Sequence, residues 1–282
     1  MRFIFCIFIF FSCSVFSETN AVDDRILAEK MNEASKFSLI PHQPTYLLPF
    51  NFNDKIQDYS AYKDEGSKEQ QIETKYQISF KTPIFHHIGE LPIEGYVAYT
   101  QVSFWQSYNT AESSPFRETN YQPEMFLRWK STKELGNDWN FKAASFGFTH
   151  ESNGRSDPIS RSWNRLSTSL IFSKHNFVVA IEPWYRIPES LEDDNNPDLL
   201  DYYGHGKITL VYKYHDTVFS LISRNNLESG FSKGSTKVSL SFPVVENVRG
   251  YIQAFSGYGN SLIEYNLYTN TVGVGISLTD FL

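Results

Sequence analysis

His150 and Ser152 lie two residues apart in the run Phe148-Thr149-His150-Glu151-Ser152-Asn153-Gly154-Arg155-Ser156-Asp157. On a β-strand that spacing puts both side chains on one face, close enough for an imidazole nitrogen to reach the serine hydroxyl. The histidine is then a general base toward the hydroxyl, and the activated serine can attack an ester carbonyl. Asn164, in Ile159-Ser160-Arg161-Ser162-Trp163-Asn164-Arg165, offers an amide oxygen to the other imidazole N–H. That contact fixes tautomer and orientation, as the third member of a catalytic triad does. A neutral amide does less than a carboxylate for the developing imidazolium, so charge must come from elsewhere, and a cation is the obvious source. Arg155, Asp157 and Ser160 follow in a polar turn. Their carbonyl, carboxylate and hydroxyl are hard oxygen ligands of the kind calcium takes, and a calcium ion there could polarise an oxyanion. By pattern alone the same stretch also reads as a plain loop, because Asn153-Gly154 and Ser156-Asp157-Pro158 are turn formers.

Two further motifs carry less. Gly230-Phe231-Ser232-Lys233-Gly234 fits G-x-S-x-G, but a nucleophile elbow works only where a strand turns sharply into a helix. Here strand-like segments flank it, so it reads as a hairpin turn and Ser232 as non-catalytic. Asp193-Asp194-Asn195-Asn196-Pro197-Asp198 lacks the glycine and closing glutamate of a calcium-binding hand, so it reads as a solvated acidic loop.

The elements that must position these residues alternate with period two. Between Gln71 and Lys81, Ile72, Thr74, Tyr76, Ile78 and Phe80 oppose Gln71, Glu73, Lys75, Gln77, Ser79 and Lys81. Similar stretches run through Met125, Leu127 and Trp129, through Ile208 to Tyr214, through Val238 to Phe242, and through Val272 to Leu278. A soluble sandwich would turn the apolar face into its core, whereas an outer-membrane barrel turns it to lipid and fills the interior with polar groups. The parity of His150 and Ser152 extends back to Phe146 and Phe148, and Asn164 shares parity with Leu166, Leu170 and Phe172. If these strands form a hairpin with matched faces, the polar trio emerges on the apolar side. Soluble proteins rarely do this, but for an enzyme whose substrate is the surrounding lipid it is the useful side.

The start of the chain bears on that choice. Met1-Arg2 followed by an almost wholly apolar run from Phe3 to Phe16 and a small residue at Ser17 is the layout of a secretory signal peptide over residues 1–17. Both cysteines, Cys6 and Cys13, fall within it, so the mature chain carries neither disulfide nor thiol. A rival reading makes Cys13 a lipid-modified first residue, which Phe10 disfavours. The rest of the chain has no apolar run long enough for a transmembrane helix. Export, strands of about ten residues, and Tyr and Trp near strand ends favour an all-β transmembrane antiparallel barrel over residues 41–282. Residues 18–40 form an N-terminal periplasmic segment, with a short helix expected from Asp23 to Lys36.

Composition agrees. Of 282 residues, 41% are hydrophobic, 16% aromatic and 20% charged, which excludes a disordered chain. The formal charge of −7 excludes a strongly basic nucleic-acid binder.

The run His150 to Pro158 with Ser160 to Leu166 resembles the outer-membrane phospholipase A family, and so does Glu112-Ser113-Ser114-Pro115-Phe116-Arg117-Glu118-Thr119-Asn120-Tyr121. Ser256-Gly257-Tyr258-Gly259 and Ser261-Leu262-Ile263-Glu264-Tyr265-Asn266 are similar too. The resemblance implies a barrel of about twelve strands with its site on the outer surface toward the cell exterior. It also implies a triad of His150, Ser152 and Asn164, and a calcium-dependent homodimer that hydrolyses sn-1 and sn-2 esters of phospholipids and lysophospholipids. The metal ligands it implies are the Arg155 carbonyl, Ser160 and the partner subunit's Ser114. Asp157 and an acid of the 193–198 loop, with Asp194 as the choice, match a second site of the monomer. Gln101 falls where the family has a polar residue at the dimer interface. The alternative is a non-enzymatic porin or structural barrel whose polar loop only looks catalytic.

Overall fold

Strands with one apolar and one polar face leave edges that must be paired, and a sheet closed on itself removes them. The computed structural model describes residues 21–32, 38–57, 69–190, 192–246 and 248–282. Its strands are β1 (Ile40–Pro41), β2 (Thr45–Asn53), β3 (Ile72–Phe85), β4 (Ile93–Trp105), β5 (Phe116–Gly136), β6 (Trp139–Ser152) and β7 (Ser162–Lys174), followed by β8 (Phe177–Ile187), β9 (Gly206–Tyr214), β10 (Thr217–Asn225), β11 (Gly234–Val245), β12 (Val248–Tyr258) and β13 (Tyr268–Thr279). From β2 onward each strand pairs antiparallel with the next, and β13 returns to β2, so β2 to β13 form a closed ring of twelve. The short β1 adds to β3 through Ile40↔Lys81 and Pro41↔Phe80.

The ring is polar within and apolar without. Ile72 and Ile78 on β3 are exposed, while Glu73, Lys75, Gln77, Ser79 and Lys81 are buried in the lumen. On β13, Val272, Val274, Ile276 and Leu278 face outward and Thr269, Thr271 and Ser277 are buried. This is the lipid-facing arrangement, and it decides between sandwich and barrel.

Tight turns join the strands at one end, with left-handed backbone at Asn137, Asp138, His175 and His215. Long loops join them at the other, which in such barrels is the extracellular end. The helix α1 (Ala21–Asn32) does not lie on the short-turn end but enters the lumen there. Val22 and Ile26 pack against the inward-facing Ile171, Val178, Val211 and Val218. Glu29 meets Lys81 at 2.9 Å and Arg128 at 3.1 Å, and Arg25 donates to the carbonyls of Pro41 and Asp280. The expected helix ran on to Lys36, which lies outside the described residues, as do the expected leader and both cysteines.

At the extracellular end the lumen is filled by a knot of charge. Arg117, fully buried, grips Glu73 with two bonds of 2.8 Å and meets Glu264 at 3.0 Å. The loop carrying Glu264 is held further by Leu262 N–H donating to Asn120 and Ile263 N–H donating to Glu118. A second helix, α2 (Leu199–Tyr203), packs with Trp163, Trp184, Leu262 and Tyr265 beside it.

Candidate active site

The register of β6 and β7 makes His150 the direct cross-strand partner of Asn164, and Ser152 that of Ser162. The intervening residues face inward: Trp163 and Arg165 both donate to Glu151 Oε2, at 3.1 and 2.9 Å. That internal clasp pins the register, because a slip of one residue would exchange the faces of the whole hairpin. His150, Ser152 and Asn164 therefore share the outward parity of the exposed Phe146 and Phe148.

His150 Nδ1 lies 2.9 Å from Asn164 Oδ1. Asn164 Nδ2 donates in turn to Glu189 Oε1 at 3.0 Å, from the segment that follows β8. A carboxylate only accepts, so it fixes which way the amide points, and an amide oxygen only accepts, so Nδ1 must carry the ring proton. Nε2 is left as the basic nitrogen. No hydrogen bond joins Ser152 to His150 among the described residues, and contacts of this kind commonly tighten only when substrate is bound.

Beyond Ser152 the 153–161 loop is closed by Asn153, which is buried. Its Oδ1 accepts from the N–H groups of Arg155 and Arg161, and its Nδ2 donates to the Ile159 carbonyl. Gly154 has φ +64°, and a side chain there would come within 3.0 Å of the Tyr121 ring. The Arg155 guanidinium reaches across to the carbonyls of Phe116 and Arg117, tying the loop to the start of β5.

Of the expected metal ligands, Arg155, Asp157 and Ser160 all lie on this loop. No hydrogen bond reaches the Arg155 carbonyl, and the exposed Asp157 makes no ion pair, among the described residues. The Ser160 hydroxyl accepts from Asn195 Nδ2 at 2.9 Å. Hard oxygens on one turn, with the Arg155 carbonyl and Asp157 carboxylate uncommitted among the described residues, fit a calcium ion. No cluster of three His, Cys, Asp or Glu side chains able to hold a metal occurs among the described residues, so a cation here must rest largely on carbonyl and hydroxyl oxygens. Asp194 is engaged by Arg186 at 2.7 Å and by the Asn196 N–H, both through Oδ1. Ser114 sits on the β4–β5 loop with φ +56° just before it at Ser113, and its hydroxyl donates to the Ser107 carbonyl; among the described residues no hydrogen bond joins it to Arg155, Asp157 or Ser160. Ser232 lies in the β10–β11 hairpin loop, where its hydroxyl donates to the Ser229 carbonyl.

Gln101 faces outward within a polar chain: Tyr99 donates to it, and it donates to Ser103, which also accepts from Thr119. Gln101 opposes Tyr121, and Tyr121 opposes Ser152. The register thus carries one outward row from Gln101 through Tyr121 to the serine. Glu189 is the residue the sequence did not disclose, since nothing in its neighbourhood marks it.

The sequence matches the family described as Phospholipase A1 over residues 22–278. It is 38% identical over 262 residues to Phospholipase A1 of Escherichia coli (strain K12), spanning 92% of this chain and 88% of that one. With Phospholipase A1 of Proteus vulgaris the identity is 37% over 268 residues, or 93% and 89% of the two chains. The fold is similar to that of the outer membrane phospholipase A from Escherichia coli, at a TM-score of 0.81 and 37% identity, covering 87% of this chain and 100% of that one. It is similar also to the Salmonella typhi outer membrane phospholipase dimer with bound calcium, at a TM-score of 0.84 and 37% identity, covering 91% and 98%. Barrel, outward-facing polar trio and relatives converge: the chain belongs to the phospholipase A1 family and is a phospholipase of the bacterial outer membrane.

Proposed function

We propose that the chain hydrolyses sn-1 and sn-2 acyl esters of phospholipids and lysophospholipids with Ser152 as nucleophile, His150 as base and Asn164 as the residue that orients it, and that it does so as a calcium-dependent homodimer at the outer, extracellular side of the barrel wall. The observation that supports this most is the 2.9 Å contact between His150 and Asn164 on a lipid-facing surface, where an unpaired polar pair would only be a cost.

Ser152 Oγ attacks the ester carbonyl while its proton passes to His150 Nε2. The tetrahedral intermediate expels the glycerol-side oxygen, which takes that proton from His150. Water then attacks the acyl-serine with His150 again as base, releasing the fatty acid and restoring the serine. The Arg155 carbonyl and Ser160 hydroxyl, with Ser114 of the partner subunit, would hold the calcium, and Asp157 with Asp194 a second ion in the monomer; such an ion, when bound, supplies the positive charge that stabilises an oxyanion. The solved relative that is a dimer with bound calcium supports both the metal and the assembly. Two barrels side by side would also line an apolar cleft for acyl chains that one convex wall cannot provide.

The test is fatty-acid release from mixed micelles with calcium. Ser152→Ala and chelator should each abolish it, and turnover that survives Ser152→Ala would overturn the assignment. The porin alternative finds little support in a lumen that carries the Arg117 knot at one end and α1 at the other.

A further inference from the structure

We propose that Glu189 is a positioning residue for the reaction, acting on His150 through Asn164; this rests on the triad reading above. Three facts carry it. Asn164 makes two side-chain contacts in line, Oδ1 to the imidazole at 2.9 Å and Nδ2 to Glu189 Oε1 at 3.0 Å. Glu189 makes no ion pair among the described residues, so its negative charge is not spent on a neighbouring cation. Glu189 and Asn164 are both half-buried at the rim of the barrel, where water screens their charge and dipole less than in the open.

The consequence is chemical. An isolated asparagine can rotate its amide by a half-turn at little cost. Rotated, it would present N–H to Nδ1, Nδ1 would become the acceptor, and the proton would move to Nε2, the nitrogen that must be free to take the serine proton. Glu189 accepts only, so it admits one amide orientation and one tautomer. It also places a carboxylate behind a neutral third member, so that the charge an aspartate would supply directly reaches the imidazolium through a polarised amide. No bond is made or broken at Glu189. The calcium on the far side of the nucleophile would serve the oxyanion and Glu189 the imidazolium, so the two opposite charges of the transition state would each have a counterpart.

The experiment measures kcat, KM and the pH profile of kcat/KM for Glu189→Ala, Glu189→Gln and Glu189→Asp in the calcium-loaded full chain in mixed micelles, beside Ser152→Ala. Glu189→Ala should lower kcat roughly tenfold with KM little changed, and should move the acid limb of the profile to lower pH. Glu189→Gln should move the acid limb in the same direction, having lost the charge, and Glu189→Asp should recover most of the parent's behaviour. In an Asn164→Ala background Glu189→Ala should have no further effect, because its only route to the ring is gone. Heat-modifiable migration on gels establishes that each variant is a folded barrel. An unchanged kcat and acid limb in folded Glu189→Ala, with Ser152→Ala inactive, would overturn the role of Glu189 and leave the triad standing. Activity in Ser152→Ala would instead remove the triad itself.

Discussion

Tyr121 on β5 stands directly across from Ser152 on β6, and its ring occupies the space a side chain at Gly154 would need at the first turn of the following loop. The proposed nucleophile, the aromatic ring and the turn that carries the candidate calcium ligands are thus neighbours in sequence or register. Gly154 has φ +64°, and an added Cβ would come within 3.0 Å of Tyr121 Cε2. Gly154→Ala should therefore reduce hydrolysis by roughly tenfold or more while the barrel's melting temperature changes little, since the cost of a left-handed alanine, about 1–2 kcal/mol, falls on one loop. Adding Tyr121→Ala should return part of the calcium response by relieving the clash. Calcium titrations of the two variants against the parent check this, and a parent-like response in Gly154→Ala counts against it.

Ser114 lies on a loop of its own, and among the described residues its hydroxyl bonds to the Ser107 carbonyl rather than to any of the other candidate ligands. If it completes the metal site of a neighbouring subunit, Ser114→Ala should raise the calcium concentration needed for activity and for dimer formation, and leave the folding of the barrel intact. Sedimentation velocity across a calcium series, read beside activity, gives the comparison; coincident curves for variant and parent would exclude the serine from the site.

Arg117 is the centre of the extracellular knot, with Glu73 and Glu264 both fully buried against it. Removing one partner of such a group leaves carboxylates buried without a cation, which typically costs about 3–5 kcal/mol. Arg117→Ala should lower the melting temperature clearly and free the loop that carries Leu262 and Ile263. Thermal unfolding on gels reports the first effect, and protease sensitivity of that loop the second.

Glu29 gives α1 a pH dependence. Burial opposes its ionisation, but Lys81, Arg128 and Arg25 outweigh burial and hold its carboxyl down to about 2 from an ordinary 4.5. A carboxyl lowered in this way contributes its full stabilisation above the ordinary value and loses it as pH falls toward the lowered one. The helix should stay seated at neutral pH and loosen as pH drops from about 4.5 to about 2. A fluorophore at Leu27, which is exposed, would follow this. In Glu29→Gln the helix should already be loose at neutral pH, and equal immobility there in variant and parent would refute the coupling.

The alternation of Gln71 to Lys81 was enough to say which side chains share a face, because period two is a direct geometric property of a strand; that the polar face is the inner one needed the export and aromatic signals as well. The shared face of His150 and Ser152 follows from the same rule. Their opposition to Asn164 needed one further assumption, a hairpin with matched faces, and Glu151 clasping Trp163 and Arg165 inside the barrel is what satisfies it. Glu189 was not legible, since its contact with Asn164 spans 25 residues and depends on where the chain turns back after β8. The engagement of Asp194 by Arg186 was hidden for the same reason: an acidic loop looks solvated until a neighbouring strand's arginine is known to point at it. The seat of α1 inside the lumen could not be read from a short polar segment, because its partners are inward-facing residues on strands far along the chain.

The helix α1 occupies one end of the barrel's interior and the Glu264 loop the other, while the proposed triad lies on the wall outside. For the reaction proposed above, substrate and product travel sideways, along the outer wall and within the plane of the leaflet. The concentration that governs its kinetics is therefore a surface fraction rather than an amount per volume: diluting the substrate lipid with an inert amphiphile should slow turnover, while adding buffer should leave it alone.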